Sequence, residues 1–183
     1  LTGTFDGDGH TIKNITHTFT ANKHGALFYI IQGGTVKNLR LDSIALTSSF
    51  ESLGLIAGLC REGADFENIE IVNCSLSTSN HYVGLLFARS DNAPVTVNVN
   101  MVTVKNNVTL HAKKYGAGLL GDLLSGSVLN VKNVDFSASL DVPDGQGGML
   151  SGRDRGNTTQ NFENIRIRGT LTGGNKLGLF SDG

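Results

Sequence analysis

A glycine followed by two or three apolar residues recurs along the chain at a nearly fixed interval. The steps between these glycines are 29, 30, 34, 30 and 30 residues. Self-similarity at such a period is typical of a protein built from stacked repeats. The glycines concerned are Gly25, Gly54, Gly84, Gly118, Gly148 and Gly178. A second element keeps the same spacing, as VKNLRL from Val36, FENIEI from Phe66, VKNVDF from Val131 and FENIRI from Phe162.

Within a repeat, the apolar residues follow the pattern of short β-strands. Leu39 and Leu41 flank the polar Arg40, and the same alternation recurs in the next residues of that repeat. Alternation with a period of two predicts strands that bury one face. The chain contains 24 Gly and only 2 Pro, a composition that suits many short strands joined by tight corners.

Asparagine occupies a bend in most repeats. The apolar spacing from Val36 to Leu39 is three residues, which breaks the alternation and requires a bend at Asn38. Asparagine tolerates left-handed backbone conformations, so it suits such a corner. If the repeats stack in register, the amides of this corner column hydrogen-bond along the stack. We predict that the column consists of Asn14, Asn38, Asn68, Asn133 and Asn164.

Three short strands per repeat and no helical segment predict an all-β fold. We expect a parallel β-helix, or β-solenoid, of about six rungs with roughly 30 residues per rung. Right-handed coiling is the default for parallel connections. The alternative is a leucine-rich repeat, because the spacing of Val36, Leu39 and Leu41 also satisfies its consensus. We rank it second because the remaining residues of each repeat form a second apolar strand instead of the helix or extended loop of a leucine-rich repeat.

We expect residues 1–183 to form a single solenoid segment of a longer repetitive chain. Natural solenoids cover their terminal rungs with capping structure, and neither end of this sequence carries an evident cap. The expected partners are therefore neighbouring segments of the same protein, or other subunits, that stack on the open rungs.

Charge, apolar runs and cysteines exclude several functional classes. The chain has 15 Lys and Arg against 16 Asp and Glu, which gives no electrostatic footprint for nucleic acid. No run approaches the roughly 18 apolar residues of a membrane span. The two cysteines, Cys60 and Cys74, are too few for a disulfide framework, and we favour unpaired thiols because Cys74 falls in an apolar column.

Two motifs resemble a known family. GTFDGDGHTIKNI, from Gly3 to Ile15, is similar to the F-D-G-N-G-H-T-I-x-N-L opening of bacterial and protist surface β-helix proteins. The recurrent GLF or GLL followed by GTVKNL, from Gly34 to Leu39, resembles the GLUG motif of extracellular adhesin-like proteins. The resemblance covers nearly the whole chain.

This resemblance implies an extracellular or cell-surface rod that acts as a spacer, a display surface or a filament subunit. It implies no cofactor and supplies no catalytic residues that could be transferred to this chain. Its implied partners are glycans and cell-surface proteins, in addition to the stacking neighbours.

The residues Asp6, Asp8 and His10 raise the possibility of a metal site. Their carboxylates are two residues apart in a glycine-rich turn. We predict no metal there, because D-G-D-G is ordinary turn chemistry and no second cluster completes the ligand set.

A carbohydrate-active or glycan-binding domain is the alternative function. Its candidate residues are the charged run from Arg153 to Arg155 and the two tyrosines expected to be exposed, Tyr82 and Tyr115. Glycoside hydrolysis usually needs two facing carboxylates. The sequence does not identify such a pair among the available acids, which are Asp122, Asp135 and Asp144.

Four N-x-S/T sequons occur in the chain. Two of them, Asn73 and Asn107, share a column that is predicted to face outward on successive repeats, and Asn157 lies in a loop. In a eukaryotic host we expect glycosylation at Asn73, Asn107 and Asn157, and less at Asn14, which the corner would shield.

Overall fold

The computed structural model describes residues 1–20 and 23–180, and every regular element in this part of the chain is a β-strand. The strands of the first three rungs are β1 (Thr4–Asp6), β2 (Thr11–Phe19), β3 (His24–Gly25), β4 (Phe28–Ser48), β5 (Ser52–Gly54), β6 (Ala57–Val72), β7 (Ser75–Thr78) and β8 (Tyr82–Gly84). The remaining strands are β9 (Phe87–Ser90), β10 (Thr96–Lys105), β11 (Thr109–Ala112), β12 (Tyr115–Ala117), β13 (Leu120–Leu123), β14 (Val128–Val142), β15 (Gln146–Gly148), β16 (Ser151–Asp154), β17 (Thr159–Gly173) and β18 (Lys176–Gly178).

These strands coil into a parallel β-solenoid of about six turns, with equivalent residues about 31 positions apart. A 12-stranded sheet carries the long strands, and a 6-stranded sheet runs in the order β18-β15-β12-β8-β5-β3. The predicted parallel β-helix is therefore confirmed. The leucine-rich repeat is wrong, because the second apolar segment of each repeat forms the 6-stranded sheet.

The core consists of apolar columns that run along the stack. Leu46, Leu76, Leu110 and Leu140 lie opposite one another on successive rungs, and each is at most 2 % exposed. Burying a leucine side chain stabilises a fold by about 1.5–3 kcal/mol. Burial of such columns therefore contributes much of the free energy that stabilises the stack of rungs.

Both cysteines belong to this core as unpaired, buried thiols, as the sequence favoured. Burial raises the pKa of Cys60 to about 12 and raises that of Cys74 as well. Neither thiol is therefore ionised at neutral pH.

The recurrent glycine is required because the chain turns there against other backbone. A Cβ atom added to Gly54 would lie 1.8 Å from the carbonyl oxygen of Ala57. At Gly118 it would lie 1.8 Å from the carbonyl oxygen of Met149, on the next rung. No side chain fits at such distances, so at Gly54 and Gly118 the recurrent glycine meets a steric requirement of the turn.

The asparagine corner column is confirmed for four of its five members. Asn38, Asn68, Asn133 and Asn164 all have φ between 50° and 54°. Nδ2 of Asn68 donates to Oδ1 of Asn38 at 2.9 Å, and Nδ2 of Asn164 donates to Oδ1 of Asn133 at 2.8 Å. Between these pairs, Met101 occupies the corner with φ 55°, and Asn133 donates instead to Asn100 at 3.0 Å.

The assignment of Asn14 to this column is wrong. Lys13 and Ile15 lie opposite Asp42 and Ile44, which places Asn14 opposite Ser43 at the next bend of the rung. The cause is a difference in the length of the first corner. The first rung has four residues there, 7–10, whereas the second rung has two, residues 38 and 39. Asn14 therefore shares its bend with Ser43 and Asn73, which have φ of 55° and 53°.

Candidate functional site

Stacking brings together charged and aromatic residues from three rungs, which we term the arginine–tyrosine cluster. Tyr82 begins β8 and lies opposite Tyr115 at the start of β12. In the strand that follows on each rung, Asp122 in β13 lies opposite Arg89 on one neighbouring rung and opposite Arg153 on the other. The cluster consists of Tyr82, Arg89, Tyr115, Asp122, Arg153 and Arg155.

Its centre is an ion pair between Asp122 and Arg155. The Asp122 side chain is fully buried. Arg155 donates two hydrogen bonds to it, from Nε to Oδ1 at 3.1 Å and from Nη2 to Oδ2 at 2.5 Å. These bonds raise the pKa of the Arg155 guanidinium. A bidentate arginine is the geometry that best compensates a buried carboxylate for lost hydration.

The two tyrosines form a stack that the arginines cover. The rings of Tyr82 and Tyr115 are 5.3 Å apart and inclined by 19°. The Cζ atom of Arg153 lies 4.6 Å from the Tyr115 ring centre, and that of Arg89 lies 5.3 Å from the Tyr82 ring centre. Both are within the distance at which a cation is attracted to an aromatic face.

The expectation of an exposed Tyr82 ring is wrong. Tyr82 is 6 % exposed, because its ring stacks on Tyr115 and its hydroxyl accepts a bond from Arg155 at 3.4 Å. Burial raises its pKa, and the negative charge of Asp122 adds to the effect. Neither ring face is therefore a free platform for a sugar. Tyr115 is only partly buried.

Ion pairs to neighbouring rungs engage the other charges at this edge. Arg89 donates to Glu51 at 2.5 Å, and Arg61 donates to Asp91 through Nη2 at 2.7 Å. The hydrogen bond from Arg61 and its charge lower the pKa of Asp91 against the opposing effect of burial. Each of these carboxylates thus already has a cationic partner.

Of the three acids considered for hydrolysis, two are paired with different arginines. Asp122 is held by Arg155, and Asp135 accepts from Arg168 at 2.6 Å. Asp144 is exposed in the turn after β14. Asp154 accepts bonds from the backbone nitrogen of Gly156 at 2.8 Å and from the side chain of Gln160 at 3.0 Å, so it fixes the loop after β16.

The turn with Asp6, Asp8 and His10 is held by its own hydrogen bonds. Oδ1 of Asp6 accepts from the backbone nitrogen of Asp8 at 2.9 Å and from Asn38 at 3.0 Å. These bonds lower the pKa of Asp6, the one from Asp8 most strongly. In residues 1–20 and 23–180, no group of three or more His, Cys, Asp or Glu side chains could hold a metal ion.

All four sequon asparagines are exposed. Asn73 and Asn107 lie in bends on successive rungs, each with positive φ, and Asn157 lies in the loop after β16. The shielding expected for Asn14 is absent, because Asn14 occupies the same outward bend as Asn73. Glycosylation at Asn73, Asn107 and Asn157 stays a prediction.

The sequence reasoning missed a second ladder of polar side chains on the 12-stranded sheet. Nδ2 of Asn98 donates to Asp65 at 2.7 Å, that of Asn130 to Asn98 at 2.8 Å, and that of Asn161 to Asn130 at 2.8 Å. The sequence did contain a signal for this ladder, because each of these residues stands three positions before the corner residue of its repeat. The outer face of this sheet is therefore bonded from rung to rung.

No protein-family model, curated protein or solved structure matches this chain. A search of the described residues for a helix long and apolar enough to cross a membrane finds none.

Proposed function

We propose that this chain is an extracellular structural and adhesive β-helix module that acts as a spacer, a display surface or a filament subunit. It performs no catalysis in this role. Its function is to present an outer surface of rigid geometry that continues from rung to rung along the stack.

The observation that carries this proposal is that outward polar side chains bond mainly to side chains of the neighbouring rung. Gln32 donates to Glu62, and Asn68 donates to Asn38, in each case across 30 residues. The pair between Arg61 and Asp91 spans the same interval. Groups that a catalyst or a mobile binding loop would leave free are thus used to fix the rungs to one another. This is the arrangement expected of a rigid rod.

The last described rung provides the surface for continued stacking. Leu177, Leu179 and Phe180 are 39 %, 61 % and 46 % exposed. In the part of the chain that the structure describes, β17 and β18 pair on one side only, with β14 and β15. A further rung, from the same protein or from a second subunit, would cover these apolar side chains and satisfy the open edge.

The concentration dependence of self-association tests this role. We expect the purified segment to associate with increasing concentration in sedimentation velocity and to form rods in electron micrographs. Leu179→Glu should weaken this association, because it places a charge on the exposed apolar edge. Met101→Glu is the matched control, since Met101 is also exposed, at 45 %, but lies on the side of the stack.

The second candidate function is a carbohydrate-active or glycan-binding domain. The observation in its favour is that Arg153, Tyr82 and Asp122 meet in one cluster, although they are far apart in the sequence. Incubation with a panel of acidic and neutral polysaccharides should give no cleavage products if the module is structural. Products that disappear in Arg153→Ala would favour the enzyme instead.

A further inference from the structure

Two cations lie against the Tyr115 ring, and the part of the chain that the structure describes offers them no carboxylate that is not already bound by another arginine. Arg153 lies 4.6 Å and the Lys114 ammonium 5.8 Å from the Tyr115 ring centre. Throughout residues 1–20 and 23–180, neither side chain donates a hydrogen bond. The nearest carboxylate oxygen to Arg153, on Asp122, is 4.0 Å away and belongs to a group already bound by Arg155. Among the described residues, Lys114, Arg153 and Arg155 thus place more positive charge beside Tyr115 than Asp122 balances.

The Arg153 guanidinium is also pre-organised to bind an oxyanion. Contact with the Tyr115 ring restricts its side chain, which is still 32 % exposed. An arginine presents up to five donors in a planar fork that matches carboxylate and sulfate oxygens. Because the fork is held by the ring, a ligand would bind with less loss of side-chain entropy.

The positive charge continues along the stack. Gln146 lies opposite Tyr115 on the next rung, and the exposed Lys176 lies opposite Gln146 on the rung after that. With about 4.8 Å between rungs, Lys176 is roughly 10 Å from the rung of Tyr115. We term Lys114, Arg153 and Lys176 the basic ridge, because the first two contact Tyr115 and Lys176 lies two rungs further along the column that contains Tyr115.

We infer that this ridge binds an anionic polysaccharide through its carboxylate or sulfate groups. The inference deepens the adhesive role proposed above and rests on it. An extended polymer fits the ridge because it presents the same anion repeatedly to cations spaced along one line, so that weak contacts add.

A folded acidic protein fits the ridge less well. Specific protein interfaces surround an apolar centre rich in aromatic side chains. The large apolar side chains that are exposed in the described residues are Tyr29, Met101, Leu177, Leu179 and Phe180. None belongs to the arginine–tyrosine cluster, whose own rings are covered by arginine. The charge of the ridge, without an apolar centre, favours a charged polymer.

Affinity electrophoresis through gels that contain polygalacturonate, dextran sulfate, neutral dextran or polyglutamate tests the inference. We expect retardation in at least one of the first two gels, weaker at high salt, and no retardation in neutral dextran. Retardation by polygalacturonate alone identifies carboxylate as the bound group, and retardation by dextran sulfate alone identifies sulfate. The double variant Arg153→Gln/Lys114→Gln should lose about tenfold in affinity, since charge-assisted hydrogen bonds are lost.

Arg166→Gln is the control for the arginine substitution, because it removes one positive charge from an exposed arginine elsewhere on the stack. Lys176→Gln, at an exposed lysine, should weaken binding without disturbing the tyrosine stack. The inference is overturned if no anionic polysaccharide retards the protein at low salt. It is equally overturned if Arg166→Gln weakens binding as much as the double variant, or if polyglutamate alone is bound. Association of the segment in sedimentation is measured separately, so failure here is distinguishable from failure of the stacking role.

Discussion

Asp122→Ala is expected to lower the free energy of unfolding by about 3 kcal/mol, the lower end of the range for breaking a buried ion pair. The Asp122 carboxylate is fully buried and accepts both bonds of the Arg155 fork. Its removal leaves a guanidinium without its partner beside two stacked rings. The loss is at the lower end because the Arg155 side chain is 29 % exposed and can recover some hydration.

Urea unfolding monitored by circular dichroism measures this change. Asp135→Ala is the control, because it makes the same substitution at a 38 % exposed carboxylate that also pairs with an arginine. Exposed pairs are usually worth about 0–1 kcal/mol. Equal losses for the two variants would show that Asp122 is not the centre of the cluster.

Gly118→Ala should cost on the order of 3 kcal/mol, at the upper end of what overpacking a core costs. The added Cβ would lie 1.8 Å from the Met149 carbonyl oxygen and 2.3 Å from the Phe136 ring. Because the nearest atom is backbone of the next rung, relief requires the rungs to separate locally. The same denaturation experiment measures the effect.

Gly3→Ala is the control for this substitution. Nothing lies within 4 Å of a Cβ placed at Gly3, and we expect a change of less than about 0.5 kcal/mol. If Gly118→Ala were as stable as Gly3→Ala, the recurrent glycine would have no steric role, and the repeat would need another explanation.

The parts of the fold that depend on local chemistry were predictable from the sequence. Glycine at tight turns and asparagine at most left-handed bends are favoured by the conformation of a single residue, so they recur visibly. The apolar column through Leu46, Leu76 and Leu140 was predictable because stacking repeats the same environment at each rung.

Asn14 shows where this reasoning fails. Its neighbours resemble those of Asn38, but its position on the rung depends on the number of residues in the preceding turn. One turn of four residues in place of two moves every later residue to a different place on the coil. Similar motifs therefore need not occupy equivalent positions.

The candidate site could not be predicted as a unit for the same reason. Asp122 and Arg155 are 33 residues apart, and Arg155 stands two places beyond Arg153, the residue that lies opposite Asp122, so the shared register alone does not predict their contact. Nothing local distinguishes Asp122 from an exposed acid, since its burial is imposed by Arg155 and by the tyrosine stack. The sequence located Arg153 and Tyr82 as candidates, but their contact depends on register across three rungs.

Distances between pairs of spin labels test the stacked register most directly. Thr18, Asp141 and Thr172 lie in one outward column, with Asp141 four rungs and Thr172 five rungs from Thr18. At about 4.8 Å per rung, labels at Thr18→Cys and Asp141→Cys should be about 19 Å apart, and labels at Thr18→Cys and Thr172→Cys about 24 Å apart. Cys60 and Cys74 are buried with raised pKa values and should remain unlabelled. Two distances that differ by one rung are the predicted result, whereas equal distances, or a shorter one for the Thr172 pair, would contradict the solenoid.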